Sequence, residues 1–108
     1  MEEIVVLTTA DSRELAKKIA VSLVESGAAA CVNLMEGIRS IYRWQGELCE
    51  EDEFLLLIKS TKDCFETIRS MIRELHSYDV PEVVALSLSG GDPDYLRWLG
   101  EQVSPAGG

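Results

Sequence analysis

Two side chains in this sequence stand first as donors for a soft divalent metal or Cu(I), the thiol of Cys31 and the imidazole of His76. Thiolate selects Cu(I) and zinc, and imidazole suits copper and zinc. Each residue also has an ordinary structural use. Cys31 falls in an apolar segment, where a free cysteine behaves as a small core hydrophobe. His76 is the one histidine of the chain and sits where a helix should end, so its ring can simply bond the last carbonyls. No Cys-x-x-Cys or His-x-x-x-His pair occurs, which argues against a tight structural site within one chain; ligands from adjacent copies would have to complete a shell.

A second set of residues suggests recognition rather than ligation. Tyr42 and Trp44 are two positions apart in a β-rich segment, so both face one side and Arg43 faces the other. Together with Lys59, Tyr78 and Glu82 they can line a cleft between subunits. The competing use is an aromatic plug in a subunit interface, where such side chains are enriched. Tyr95 and Trp98 lie on a C-terminal helical stripe and read as packing. Cys49 stands beside Glu50, Glu51 and Asp52, whose charges oppose thiolate formation. Cys64 lies on an apolar helical stripe and reads as core.

These residues need elements to hold them. The run Ile4-Val5-Val6-Leu7 with Thr8 and Thr9 predicts a strand. Asp11 with Glu14 has the spacing of a capping box, and Leu15, Ile19 and Leu23 recur at helical period, so a helix is expected over 12–26 with Gly27 as its left-handed stop. A second strand starts at the alanines 28–30 and continues from Ile38 to Trp44, bent or bulged at Gly37. Gln45-Gly46 turns the chain; since this is not the favoured Asn-Gly pair, only Gly46 is expected at positive φ. The return strand, 47–60, is acidic in its first half and apolar in its second. A helix beginning near Thr61 carries Cys64, Ile68, Met71, Ile72 and Leu75 on one stripe. A last strand, 83–88, precedes Asp92 as N-cap and Pro93 at the first position of a short helix.

The order is β-α-β-β-α-β plus a terminal helix, an α+β chain of ferredoxin-like topology. One domain over 1–103 and a flexible tail over 104–108 are expected. The hairpin between the second and third strands is about twice the usual strand length of five to six residues. It must overhang the sheet, and its unpaired edges invite other copies of the chain.

With 10 Lys and Arg against 19 Asp and Glu, the net charge of −9 repels phosphate backbones and anionic lipid heads, so nucleic-acid and membrane partners are not expected. Three widely spaced cysteines and no evident leader pattern point to a reduced, cytoplasmic protein. Thr8-Thr9-Ala10-Asp11-Ser12 is acidic and free of glycine, which disfavours a phosphate-cradling enzyme loop such as an acylphosphatase would need.

Four segments then carry a resemblance: Ala30-Cys31-Val32-Asn33; Ser40-Ile41-Tyr42-Arg43-Trp44-Gln45-Gly46; residues 74–82 around His76, Tyr78 and Pro81; and residues 91–99 around Asp92-Pro93, Tyr95 and Trp98. In this order, over about residues 4–99, they resemble the CutA family of divalent-cation tolerance proteins. Ser77 stands where that family usually has Pro, and Asp79 where it usually has Glu. The resemblance implies a PII-like homotrimer of ferredoxin-like subunits knitted by long hairpins, with no enzymatic activity and no obligatory cofactor. It also implies a role in tolerance to divalent cations such as copper or zinc. A second expectation is a signalling trimer that binds a small metabolite or protein partner in the cleft near Tyr42, Lys59 and Tyr78.

Overall fold

The computed structural model describes residues 2–104. Strand β1 (Glu3–Ala10) leads through helix α1 (Arg13–Glu25) to strand β2 (Cys31–Trp44), which turns directly into strand β3 (Glu47–Thr61). A 3-10 turn (Lys62–Cys64) feeds helix α2 (Phe65–Leu75), followed by the short strand β4 (Val84–Ser87) and helix α3 (Pro93–Gln102). The strands form one antiparallel sheet in the order β2-β3-β1-β4, the ferredoxin-like arrangement expected from the element order.

Side chains alternate across a strand, so the sheet has two different faces. On one, Val6, Leu56 and Ile58 are fully buried, together with Ile19 and Leu23 of α1 and Ile68 and Ile72 of α2. Each such Leu or Ile contributes about 1.5–3 kcal/mol on leaving water. The other face carries Val5, Leu7, Leu55, Leu57, Val84 and Leu86 by register, and Leu86 remains 55% exposed. Helix α3 buries Leu99 and leaves much of this apolar face open.

Three local expectations are corrected. The α1 cap is Ser12, whose hydroxyl accepts from Leu15 N–H at 3.1 Å, and not Asp11. Ser12 has the extended backbone a cap requires, and Asp11 is left to meet Ser77. In the hairpin turn both Gln45 (φ 51°) and Gly46 (φ 81°) take positive φ. That is the type I′ pattern, whose twist matches the flanking strands; the long ribbon imposes it even on a glutamine. Helix α2 starts at Phe65, with Thr61 still part of β3 and a 3-10 turn between them.

Other signals are found where the residues indicated. Gly27 stops α1 at φ 82°, and Asp92 caps α3 by accepting from the N–H groups of Asp94 and Tyr95. Ser104 N–H donates to Gly27 O at 2.8 Å. The remainder of the expected tail, 105–108, lies outside the described residues.

The hairpin does overhang. β2 has 14 residues and β3 has 15, against 8 for β1 and 4 for β4, and the molecule measures 44 × 26 × 22 Å. β1 ends at Ala10 opposite Phe54, so from Glu53 to the turn the β2–β3 ribbon has no third strand among the described residues. At about 3.4 Å per residue that free ribbon extends roughly 20 Å.

Candidate functional site

The site begins at a bulge. Met35 pairs with Leu55 and Ile38 with Glu53, so β2 spends three steps where β3 spends two. Gly37, at φ 75°, supplies the backbone this needs. One extra residue reverses the parity of everything beyond it. Tyr42 and Trp44, even-numbered, therefore share a face with the odd-numbered Cys31, Asn33 and Met35, and with Glu53 of the partner strand. Without the bulge both aromatics would point to the opposite side.

The loop between α2 and β4 then closes onto this face. His76 caps α2 through its backbone N–H to Ile72 O at 2.9 Å. Its ring Nδ1 accepts from Tyr78 N–H at 3.0 Å, which leaves Nε2 as the protonated nitrogen, 2.6 Å from Thr9 O. The neutral imidazole thus ties the loop to the end of β1. Tyr78, its ring 4.5 Å from that of His76, reaches across to donate its phenol to Glu53 Oε2 at 2.5 Å. Ser77 Oγ lies 3.4 Å from both carboxylate oxygens of Asp11, a second tie between the same loop and the β1–α1 junction.

Between loop and ribbon lies a cavity of about 570 Å³. Tyr42, Trp44 and Tyr78 give it aromatic walls, and Glu53, Asp79 and Glu82 give it carboxylates. Burial, then the bond to Glu53 and the charges of Glu53, Asp11 and Glu51, push the Tyr78 phenol well above the usual range. Desolvation, then Glu51, also raises Tyr42. Both phenols are consequently neutral donors at physiological pH, and the charge on the walls is carboxylate charge.

Of the seven residues singled out by sequence, four line this cavity: Tyr42, Trp44, Tyr78 and Glu82. Lys59 does not; its ammonium is paired with the Asn33 side chain nearer the start of β2. Cys31 and His76 do not meet within one chain. Cys31 lies level with Lys59 and Val5, while His76 binds at Thr9, four residues along β1 and two strands across. The separation along the strands alone is about 13 Å. Cys31 lies instead near Tyr95, whose phenol is raised by burial and by that thiol, and the Tyr95 and Trp98 rings pack at 5.5 Å. No group of three His, Cys, Asp or Glu side chains able to hold a metal ion occurs among the described residues.

Glu53 was hidden in sequence within an acidic run that reads as a solvated charge cluster. It is 6% exposed, whereas Glu50, Glu51 and Asp52 are exposed. The available signal was parity: counting by twos back from Leu57 and Leu55 puts Glu53 on the face toward which the loop closes.

The sequence and the fold are shared with known proteins. The family model for the CutA1 divalent ion tolerance protein matches residues 4–102. The chain belongs to this family. It is 52% identical over 101 residues to the divalent-cation tolerance protein CutA of Thermus thermophilus, covering 94% of this chain and 97% of that one. The crystal structure of CutA1 from Oryza sativa superposes with a TM-score of 0.94 at 38% identity, over 96% of this chain and 95% of the other. A chloroplastic CutA of Arabidopsis thaliana is 45% identical over 96 residues; this chain spans 89% of itself and 53% of that longer protein. CutA proteins therefore occur in more than one compartment. Among the described residues no helix is long and apolar enough to cross a membrane.

Proposed function

We propose that this CutA1-family protein acts in divalent-cation tolerance as a cytoplasmic homotrimer that binds copper or zinc without catalysing a reaction, the ligands being brought together between subunits. The observation that supports this reading is the separation of Cys31 from His76 in a chain whose sheet leaves an apolar face and a long ribbon unpartnered. Thiolate and imidazole are the soft donors available, and only neighbouring copies can bring them within one coordination shell. Ligation by His76 exchanges either the Tyr78 N–H at Nδ1 or the Thr9 carbonyl at Nε2 for the ion, so metal binding should loosen the loop over the cavity.

Calorimetric titration with copper of the natural chain, Cys31→Ser and His76→Ala tests this. Each substitution is expected to weaken binding at least tenfold. Unchanged affinity in both removes the metal reading.

The cavity favours a second reading, a signalling trimer that takes a small ligand between ribbon and loop. Its volume falls within the range of about 300–1,000 Å³ usual for small-molecule sites. Ligand-dependent protection against thermal unfolding is its test.

A further inference from the structure

The walls of the cavity specify a charge as well as a shape. Three carboxylates, Glu53, Asp79 and Glu82, line it, and no Lys or Arg does so among the described residues. Glu53 is nearly buried and is held by a neutral phenol, so its orientation is fixed by Tyr78 before any ligand arrives. Tyr42 and Trp44 stand two apart on the same side of β2 and line the cavity together with those carboxylates. Aromatic faces attract cations through the ring quadrupole, most strongly when the cation is weakly hydrated. An anion would meet three like charges here.

A bare metal ion fits poorly, because Ca²⁺ or Mg²⁺ requires several oxygens converging at about 2.0–2.6 Å. These carboxylates do not form such a cluster. Spread acidic groups with aromatic walls match a bulky, diffuse positive charge. Resting on the reading of the cavity as a ligand site, we infer that it receives a small organic cation, an alkylammonium or quaternary ammonium ion, with Tyr42 and Trp44 against its apolar surface and Glu53 and Glu82 balancing its charge.

The test is calorimetric titration of the full chain with choline and benzylammonium. Neohexyl alcohol, the neutral carbon isostere of choline, and the anion tert-butylacetate serve as shape-matched comparisons. The two cations are expected to bind, with neohexyl alcohol about tenfold weaker or worse and tert-butylacetate without measurable binding. Glu53→Gln keeps an acceptor for the Tyr78 phenol while removing the charge, and should weaken choline about three- to tenfold, a loss of the size expected for a partly desolvated charge contact. Glu82→Gln, at an exposed position, provides the same comparison where folding is not at stake.

Tighter binding of tert-butylacetate than of choline would overturn the cation assignment and leave the cavity as a ligand site. Equal binding of choline and neohexyl alcohol would also overturn it. Binding of none of the probes by a multimeric protein would remove both the assignment and the ligand-site reading, and would mark the cavity as the seat of a neighbouring subunit.

Discussion

The phenol of Tyr78 donates to Glu53 Oε2 at 2.5 Å, joining the loop after α2 to the first residue of the ribbon that lacks a β1 partner. Removing it by Tyr78→Phe leaves a nearly buried carboxylate without its donor, which costs about 1–3 kcal/mol. Urea denaturation at neutral pH should register that loss. It should also report a pH effect of definite sign. The folded Tyr78 phenol ionises later than its unfolded counterpart, whose pKa is about 10. The stabilisation is therefore complete below about pH 10 and declines as pH rises beyond it, because the unfolded state gives up its proton first. Tyr78→Phe should flatten that alkaline decline, and an unaltered slope would separate Tyr78 from it.

The bulge at Gly37 decides which way the aromatics face. Gly37→Val forces a β-branched residue to φ 75° and should destabilise by roughly 1–2 kcal/mol, read as a shift in the denaturation midpoint. Deleting Gly37 has a different consequence. It restores plain alternation and turns Tyr42 and Trp44 away from Glu53. In a Trp98→Phe background the emission of Trp44 should move to longer wavelength, and an unmoved spectrum would contradict the parity account.

The turn offers a gain. Gln45 sits at φ 51°, a conformation in which asparagine is favoured over glutamine. Gln45→Asn should raise stability by about 0.5 kcal/mol, a small increase in the urea midpoint with no change of slope.

Leu86 on β4 tests the open face. Because it is 55% exposed in a lone subunit, Leu86→Asp should change the stability of that subunit by no more than about 0.5 kcal/mol. In an assembly that buries this face the same charge is costly. Helical content by circular dichroism should persist while the particle mass falls, and an unaltered mass would place the interface elsewhere.

The sequence was legible where local chemistry decides the outcome. Pro93 behind Asp92, Gly27 behind α1 and Gly37 within β2 each impose a backbone geometry, and each is found at its place. The long hairpin was legible from the length of the β-rich runs alone. Positions set by neighbours were harder to read. Asp11 and Ser12 are both good caps, and only the path of the chain leaves Ser12 facing the free N–H groups of α1 while Asp11 turns to Ser77. Gln45 accepts positive φ because two strongly twisted strands require it.

In the site, Tyr42 and Trp44 were paired correctly by period-two counting within one segment. Their alignment with Glu53 depended on a bulge whose single extra residue had to be located. Tyr78 and Glu82 join them through the path of a loop, which no periodicity describes. Lys59 fell outside because its strand position lies six residues from Glu53, near Asn33.

Identical subunits must cover the open sheet face and the overhanging ribbon if Cys31 and His76 are to share an ion. Light scattering of the full chain, followed down to micromolar concentration, measures this directly. It should give three times the mass of one chain throughout the dilution series. A folded particle of one chain mass would contradict the trimer and, with it, any metal site shared between subunits.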